Sequence, residues 1–148
     1  MSKYKTYQLL PIKENCELEL PHFPTRMQAF VFRAWEMVSA KTLAKVLRTT
    51  EENVTELAND MGLPEQRNID EWHDKGYITI IRSLWHILPY EQICEVLDWD
   101  EEKLAYTIKE DDFLNVKLGF FKPACEPIYY TPLTEEEKKK TKKIKKMP

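Results

Sequence analysis

The strongest constraint in this sequence is a self-similarity at an offset of 50 residues. Trp35 falls on Trp85, Val38 on Leu88, Leu43 on Ile93, Val46 on Val96 and Leu47 on Leu97. Glu51-Glu52 falls on Glu101-Glu102 and Val54 on Leu104, while upstream Phe30 and Val31 fall on Ile80 and Ile81. The match runs across roughly 25 positions without a gap, the sequence signature of one supersecondary unit used twice.

Each copy reads as three short helices. Met27, Phe30, Val31, Ala34, Trp35 and Val38 keep the i, i+3, i+4, i+7 spacing of an apolar helical stripe. Pro24-Thr25 breaks the chain ahead of it and offers an N-cap. A second helix is expected from about Ala40 to Arg48 behind Ser39, with Leu43, Val46 and Leu47 inward. Thr50 caps a third, Glu51 to Met61, closed by Gly62 and Pro64. In the second copy, Tyr77-Ile78-Thr79-Ile80-Ile81 by itself reads as a β-strand. Ile80, Ile81, Leu84, Trp85 and Leu88 nevertheless keep helical spacing and align with the first copy, so a helix is expected. Pro89 opens the next helix and Asp100 caps the third.

The fold expected is therefore all-α: two tandem trihelical, helix-turn-helix-like repeats with extended N- and C-terminal arms. The segments are an arm over 1–24, repeat one over 25–63, a connector over 64–75 and repeat two over 76–118. A Pro- and aromatic-rich stretch follows over 119–133, then a Lys-rich exposed helical tail or linker over 134–148. Tyr7, Leu9, Leu10, Leu18 and Phe23 should lay the first arm on the helices, and Phe120, Phe121, Tyr129 and Tyr130 should dock the second. Thr134 with Glu137 forms a capping box, and Glu135–Lys139 and Glu136–Lys140 are favourable i, i+4 pairs. Apart from Ile144 and Met147 the tail offers no apolar face, so it is expected to stand in solvent.

A helix-turn-helix pattern raises the question of DNA, and charge answers it. The net charge of −3 conceals a division, because seven lysines and three glutamates lie in the tail. Residues 1–133 hold 15 basic and 22 acidic groups. The helix that would enter the major groove in copy one, Glu51 to Gly62, carries four acids and no base; Asp98 to Asp112 carries seven acids and two lysines. Phosphates repel such helices, since affinity for duplex DNA rests on Lys and Arg. Only Lys41, Lys45 and Arg48, plus the tail, could contact phosphate. The same offset sets these three against Glu91, Glu95 and Asp98, so the two faces are candidates for inter-repeat charge contacts.

Enzymatic readings find little support. There are three glycines, Gly62, Gly76 and Gly119, too dispersed for a phosphate-cradling loop. Cys16, Cys94 and Cys125 form no C-x-x-C pair, and His22, His73 and His86 have no metal-ligand spacing. Asp111, Asp112, Glu110 and Glu126 could be named as acid or base, but 25 acids in 148 residues make such neighbours ordinary. Trp35, Trp72, Trp85 and Trp99 read as packing residues, with Trp99 partly exposed. No catalytic residue, cofactor or metal site is expected. No apolar run reaches the ~20 residues of a membrane span, and MSKYKTYQLL lacks a secretory core, so the cytoplasm is the expected compartment.

The runs PHFPTRMQAFVFRAWE, GYITIIRSLWHILPYEQ and LAYTIKEDDFLNVKLGFFKPACEP, at 21–36, 76–92 and 104–127, resemble the N-terminal helical region of large bacterial proteins. Those proteins carry a glycoside-hydrolase-like barrel further downstream. The resemblance implies a non-catalytic accessory or protein-interaction module, whose partners are other domains of a larger chain or another protein. A cytoplasmic DNA-binding transcription regulator with tandem helix-turn-helix units is the alternative, and a small stand-alone enzyme the third reading.

Overall fold

In a computed structural model of the chain, residues 9–13, 23–66, 76–110 and 114–145 are described. They are mostly helical. Helices α1 (Arg26–Ala34), α2 (Ala40–Leu47) and α3 (Glu51–Asp60) are followed by α4 (Tyr77–Leu84), α5 (Tyr90–Leu97) and α6 (Glu101–Glu110). A single turn, α7 (Leu114–Lys117), and a C-terminal helix, α8 (Glu135–Lys145), complete the helical elements. Two-residue strands β1 (Ile12–Lys13) and β2 (Lys122–Pro123) pair in parallel, Ile12 opposite Lys122. No described helix is long and apolar enough to cross a membrane.

The chain divides into two units, each assembled from separate stretches. One combines Met1–Leu18 with Tyr77–Pro127, the other Glu19–Gly76 with Ile128–Pro148. The N-terminal strand thus belongs with α4–α7, and the C-terminal helix with α1–α3.

In the unit containing α1–α3, three hydroxyls start the three helices. Thr25, Ser39 and Thr50 each accept a hydrogen bond from the backbone N–H three residues on, which satisfies a donor that the helix itself leaves free. Phe30, Val31, Leu43, Val46, Leu47 and Val54 are fully buried where α1 and α2 pack on α3. Burial of side chains of this size contributes about 1.5–3 kcal/mol each. Helix α1 ends at Ala34 rather than continuing to Val38, because Met37 and Val38 fold back to the Ala34 carbonyl. Trp35 and Val38 remain buried in that turn, so the apolar stripe outlasts the helix. Gln66 holds the corner: its Nε2 donates to the carbonyls of Trp35 and Val38, and its Oε1 accepts from the Ala40 N–H.

In the unit containing α4–α7, the β-branched run from Tyr77 is helical and buries Ile80, Ile81 and Leu84. The following turn folds Ile87 and Leu88 back to the Leu84 carbonyl. Pro89 precedes α5 without a side-chain cap, and Asp100 Oδ1 accepts from the Lys103 N–H at 2.7 Å. The helix bounds thus recur fifty residues on, from 40–47 to 90–97 and from 51–60 to 101–110.

The ends of α2 and α5 also correspond. Thr49 N–H reaches the Ala44 carbonyl and Trp99 N–H the Cys94 carbonyl, with Arg48 and Asp98 left-handed between them at φ 60° and 58°. This six-to-one closure is the Schellman motif, whose left-handed position normally favours glycine. Gly62 fills that position after α3, at φ 79°.

Two expectations for the terminal segments are corrected. Phe120 does not dock: it is 56% exposed and left-handed at φ 66°. Ile128 is the residue that buries instead, while Tyr129 stays exposed with its ring against Arg48. Nor is the Lys-rich helix solvated on every side. Thr141 is 2% exposed and packs the helix against its unit, while Glu135, Glu136 and Lys138–Lys140 remain in solvent. A small hydroxyl residue can do this without an apolar face because it finds a buried hydrogen-bonding partner. Thr134 and Glu137 form the reciprocal capping box. Glu136 pairs with Lys140 at 3.4 Å, whereas Glu135 pairs one residue short of Lys139, with Lys138 at 3.9 Å. Tyr7 and Leu18 lie outside the described residues.

Candidate functional site

The charged residues singled out from sequence occupy surface positions within their own units. Lys41 and Lys45 are exposed on α2. Arg48, also exposed, holds its guanidinium carbon 4.5 Å from the centroid of the Tyr129 ring, so its charge is partly committed to a cation–π contact. Among the acidic set, Glu91 and Asp98 are exposed and Glu95 is half-buried. On α3 the outward face carries Glu51, Glu52, Glu56 and Asp60, all exposed, with no basic residue in the helix. On α6, Glu101, Lys109 and Glu110 are exposed and Tyr106 projects among them.

Sequence reasoning missed the densest chemical cluster, which lies in the unit with α4–α7. Two aromatic side chains hook the paired strands. Trp85 Nε1–H donates to the Phe121 carbonyl at 2.9 Å, and the Tyr90 hydroxyl donates to the Leu10 carbonyl at 2.6 Å. The strands are tied in turn by Lys122 N–H to the Pro11 carbonyl and Ala124 N–H to the Lys13 carbonyl. Between them the Lys122 side chain runs inward, 1% exposed. Its Nζ lies 5.4 Å from the Trp85 centroid and 5.9 Å from that of Tyr90, and those rings meet edge to face at 5.6 Å. The ammonium donates to the Pro123 carbonyl at 2.8 Å and to Cys125 Sγ at 3.5 Å.

Lysine is almost never fully buried unless its charge is met. Aromatic faces and a carbonyl are among the groups that meet it here. Burial pushes the Tyr90 hydroxyl well above its ordinary range, outweighing the opposing effect of its bond to the Leu10 carbonyl, so it stays a neutral donor. Lys122 gives no sequence signal, because nothing local distinguishes it from a surface lysine. The one clue is its setting between aromatic residues and prolines in FFKPAC.

The other nominated groups separate. Cys94 is buried on α5, and burial, reinforced by the surrounding carboxylates of Glu101, Asp100, Glu91 and Glu95, pushes its thiol up to about 12. Trp99 is half-buried between the Tyr77 ring and Lys103 Nζ. Glu110 and Glu126 are exposed carboxylates, and His86 is exposed. Cys16, His22, His73, Trp72, Asp111 and Asp112 lie outside the described residues. Among those described, no group of three or more His, Cys, Asp or Glu is arranged to hold a metal ion.

No protein-family model matches the chain, and no curated protein or solved structure is significantly similar to it. Function must therefore be argued from the residues themselves.

Proposed function

We propose that this chain is a non-catalytic protein-interaction module, an accessory to a larger, glycoside-hydrolase-like bacterial protein, in which one trihelical unit occurs twice. The duplication draws support from the shared helix bounds, the matching turns after α1 and α4, and the paired left-handed residues Arg48 and Asp98. The observation that carries the choice of partner class is the outward face of α3, which presents four exposed carboxylates and no base. A third helix of that kind is repelled by a phosphate backbone but remains available to protein.

The alternative is a transcription regulator using tandem helix-turn-helix units, and the exposed Lys41 and Lys45 on α2 favour it. Titration of a random-sequence duplex at low and moderate salt separates the two. The wild-type chain is compared with one in which the tail lysines are changed to Gln and Thr141 is kept. The module reading expects any binding to vanish with the tail charge. Salt-dependent binding that survives this change and is lost in Lys41→Ala/Lys45→Ala would establish the regulator instead.

A further inference from the structure

Lys122 and Cys125 bring an amine and a thiol into contact in a setting that favours their joining. Nζ lies 3.5 Å from Sγ and is kept there by the Pro123 carbonyl and the two aromatic faces. The lysine is enclosed, whereas Cys125 is only partly buried. An oxidant arriving from solvent therefore meets sulfur first, with the amine already beside it.

We propose that Lys122 and Cys125 form a reversible, peroxide-driven sulfur–nitrogen cross-link, making this loop a thiol-based redox switch. In the first step the Cys125 sulfur attacks a peroxide oxygen, the O–O bond breaks, and a sulfenic acid and one water result. Sulfur is oxidised by two electrons and peroxide is reduced. In the second, the Lys122 ammonium gives one proton to the sulfenic oxygen, its nitrogen lone pair attacks the sulfenic sulfur, and the proton left over on nitrogen is lost with the departing water. The S–O bond breaks, and the departing oxygen leaves as a second water, so this condensation is redox-neutral. Two equivalents of an external thiol reverse the link, regenerating amine and thiol and yielding a disulfide. Cross-linking removes the positive charge from between Trp85 and Tyr90 and staples residues 122–125 into a closed loop. Cys94, buried among carboxylates, supplies an internal comparison that should stay reduced.

The test is peptide mapping of the full chain after exposure to one or two equivalents of hydrogen peroxide. Expected is a loss of about 2 Da confined to the fragment holding both residues, with fragmentation locating the link between them. It should be reversed by dithiothreitol and be absent in Cys125→Ser and Lys122→Arg. The wild-type map decides the matter even if a variant folds poorly. A Cys125 that proceeds to sulfinic or sulfonic acid, or pairs in an intermolecular disulfide, while Lys122 stays free would overturn the proposal. So would a link to backbone nitrogen that persists in Lys122→Arg.

Discussion

Gln28 Nε2 donates to Thr141 Oγ1 at 2.6 Å, joining the first turn of α1 to the middle of α8 across 113 residues. Both side chains are buried, and each is held by a further hydrogen bond. Gln28 Oε1 accepts from the Thr25 hydroxyl, whose oxygen accepts from the Gln28 N–H, and the Thr141 hydroxyl donates to the Glu137 carbonyl. One hydrogen-bonded chain therefore runs from the N-cap of α1 into the backbone of the Lys-rich helix. A fully satisfied buried network of this kind resists the loss of any member.

Thr141→Val should accordingly destabilise the unit by about 1–3 kcal/mol, since it leaves the Gln28 amide without its acceptor at constant volume. The change should appear as a lower urea midpoint, with faster amide exchange concentrated in 135–145. A valine variant as protected as the parent would show that the helix is held by something else.

The two left-handed helix ends, Arg48 and Asp98, should respond differently to glycine. Asp98 combines the steric cost of that conformation with a negative charge at the end of α5, where the helix dipole opposes it. Asp98→Gly should raise stability by about 0.5–1 kcal/mol despite the more flexible unfolded chain. Arg48 has the favourable charge and its Tyr129 contact, so Arg48→Gly should lie within about 0.5 kcal/mol of the parent. Thermal melts of the two variants side by side test the contrast in sign and size.

Lys122→Met keeps the length of the side chain and removes its charge. The Pro123 carbonyl would lose its ammonium donor and both rings their cation, for an expected cost of about 1–3 kcal/mol. Lys122→Ala adds an unfilled volume and should cost about 2–5 kcal/mol. Equal losses for Met and Ala in denaturant titrations would show that volume, not charge, is what the position requires.

Alkaline pH should weaken the unit that contains Cys94. Its thiol is raised from 9.0 to about 12, so the folded state holds a proton that the unfolded chain releases. The resulting stabilisation is fully present below pH 9 and is lost as pH climbs toward 12. Tyr90, raised in the same direction, adds to the decline. Urea midpoints should fall steadily from pH 9 upward, less steeply in Cys94→Val. At neutral pH a thiol reagent should modify Cys125 well before Cys94.

Local sequence determined the helices of this protein and much of their punctuation. Thr25, Ser39, Thr50 and Asp100 cap because a short side-chain oxygen ahead of an apolar stripe has few other uses. The periodicity also carried the helix at Tyr77, against the β-branched composition. Caps and periodicity act within one or two turns of chain, and at Tyr77 the match to the first copy, fifty residues away, reinforced them. Tertiary structure decided what the ends and the polar exceptions do. The first strand joins α4–α7 while the last helix joins α1–α3, and Lys122, Gln28 and Thr141 pass from surface types to buried ones. That burial depends on groups far along the chain, Gln28 meeting Thr141 across 113 residues and Lys122 meeting the rings of Trp85 and Tyr90. A polar group leaves water only where a distant group meets it, and no local pattern records that partner.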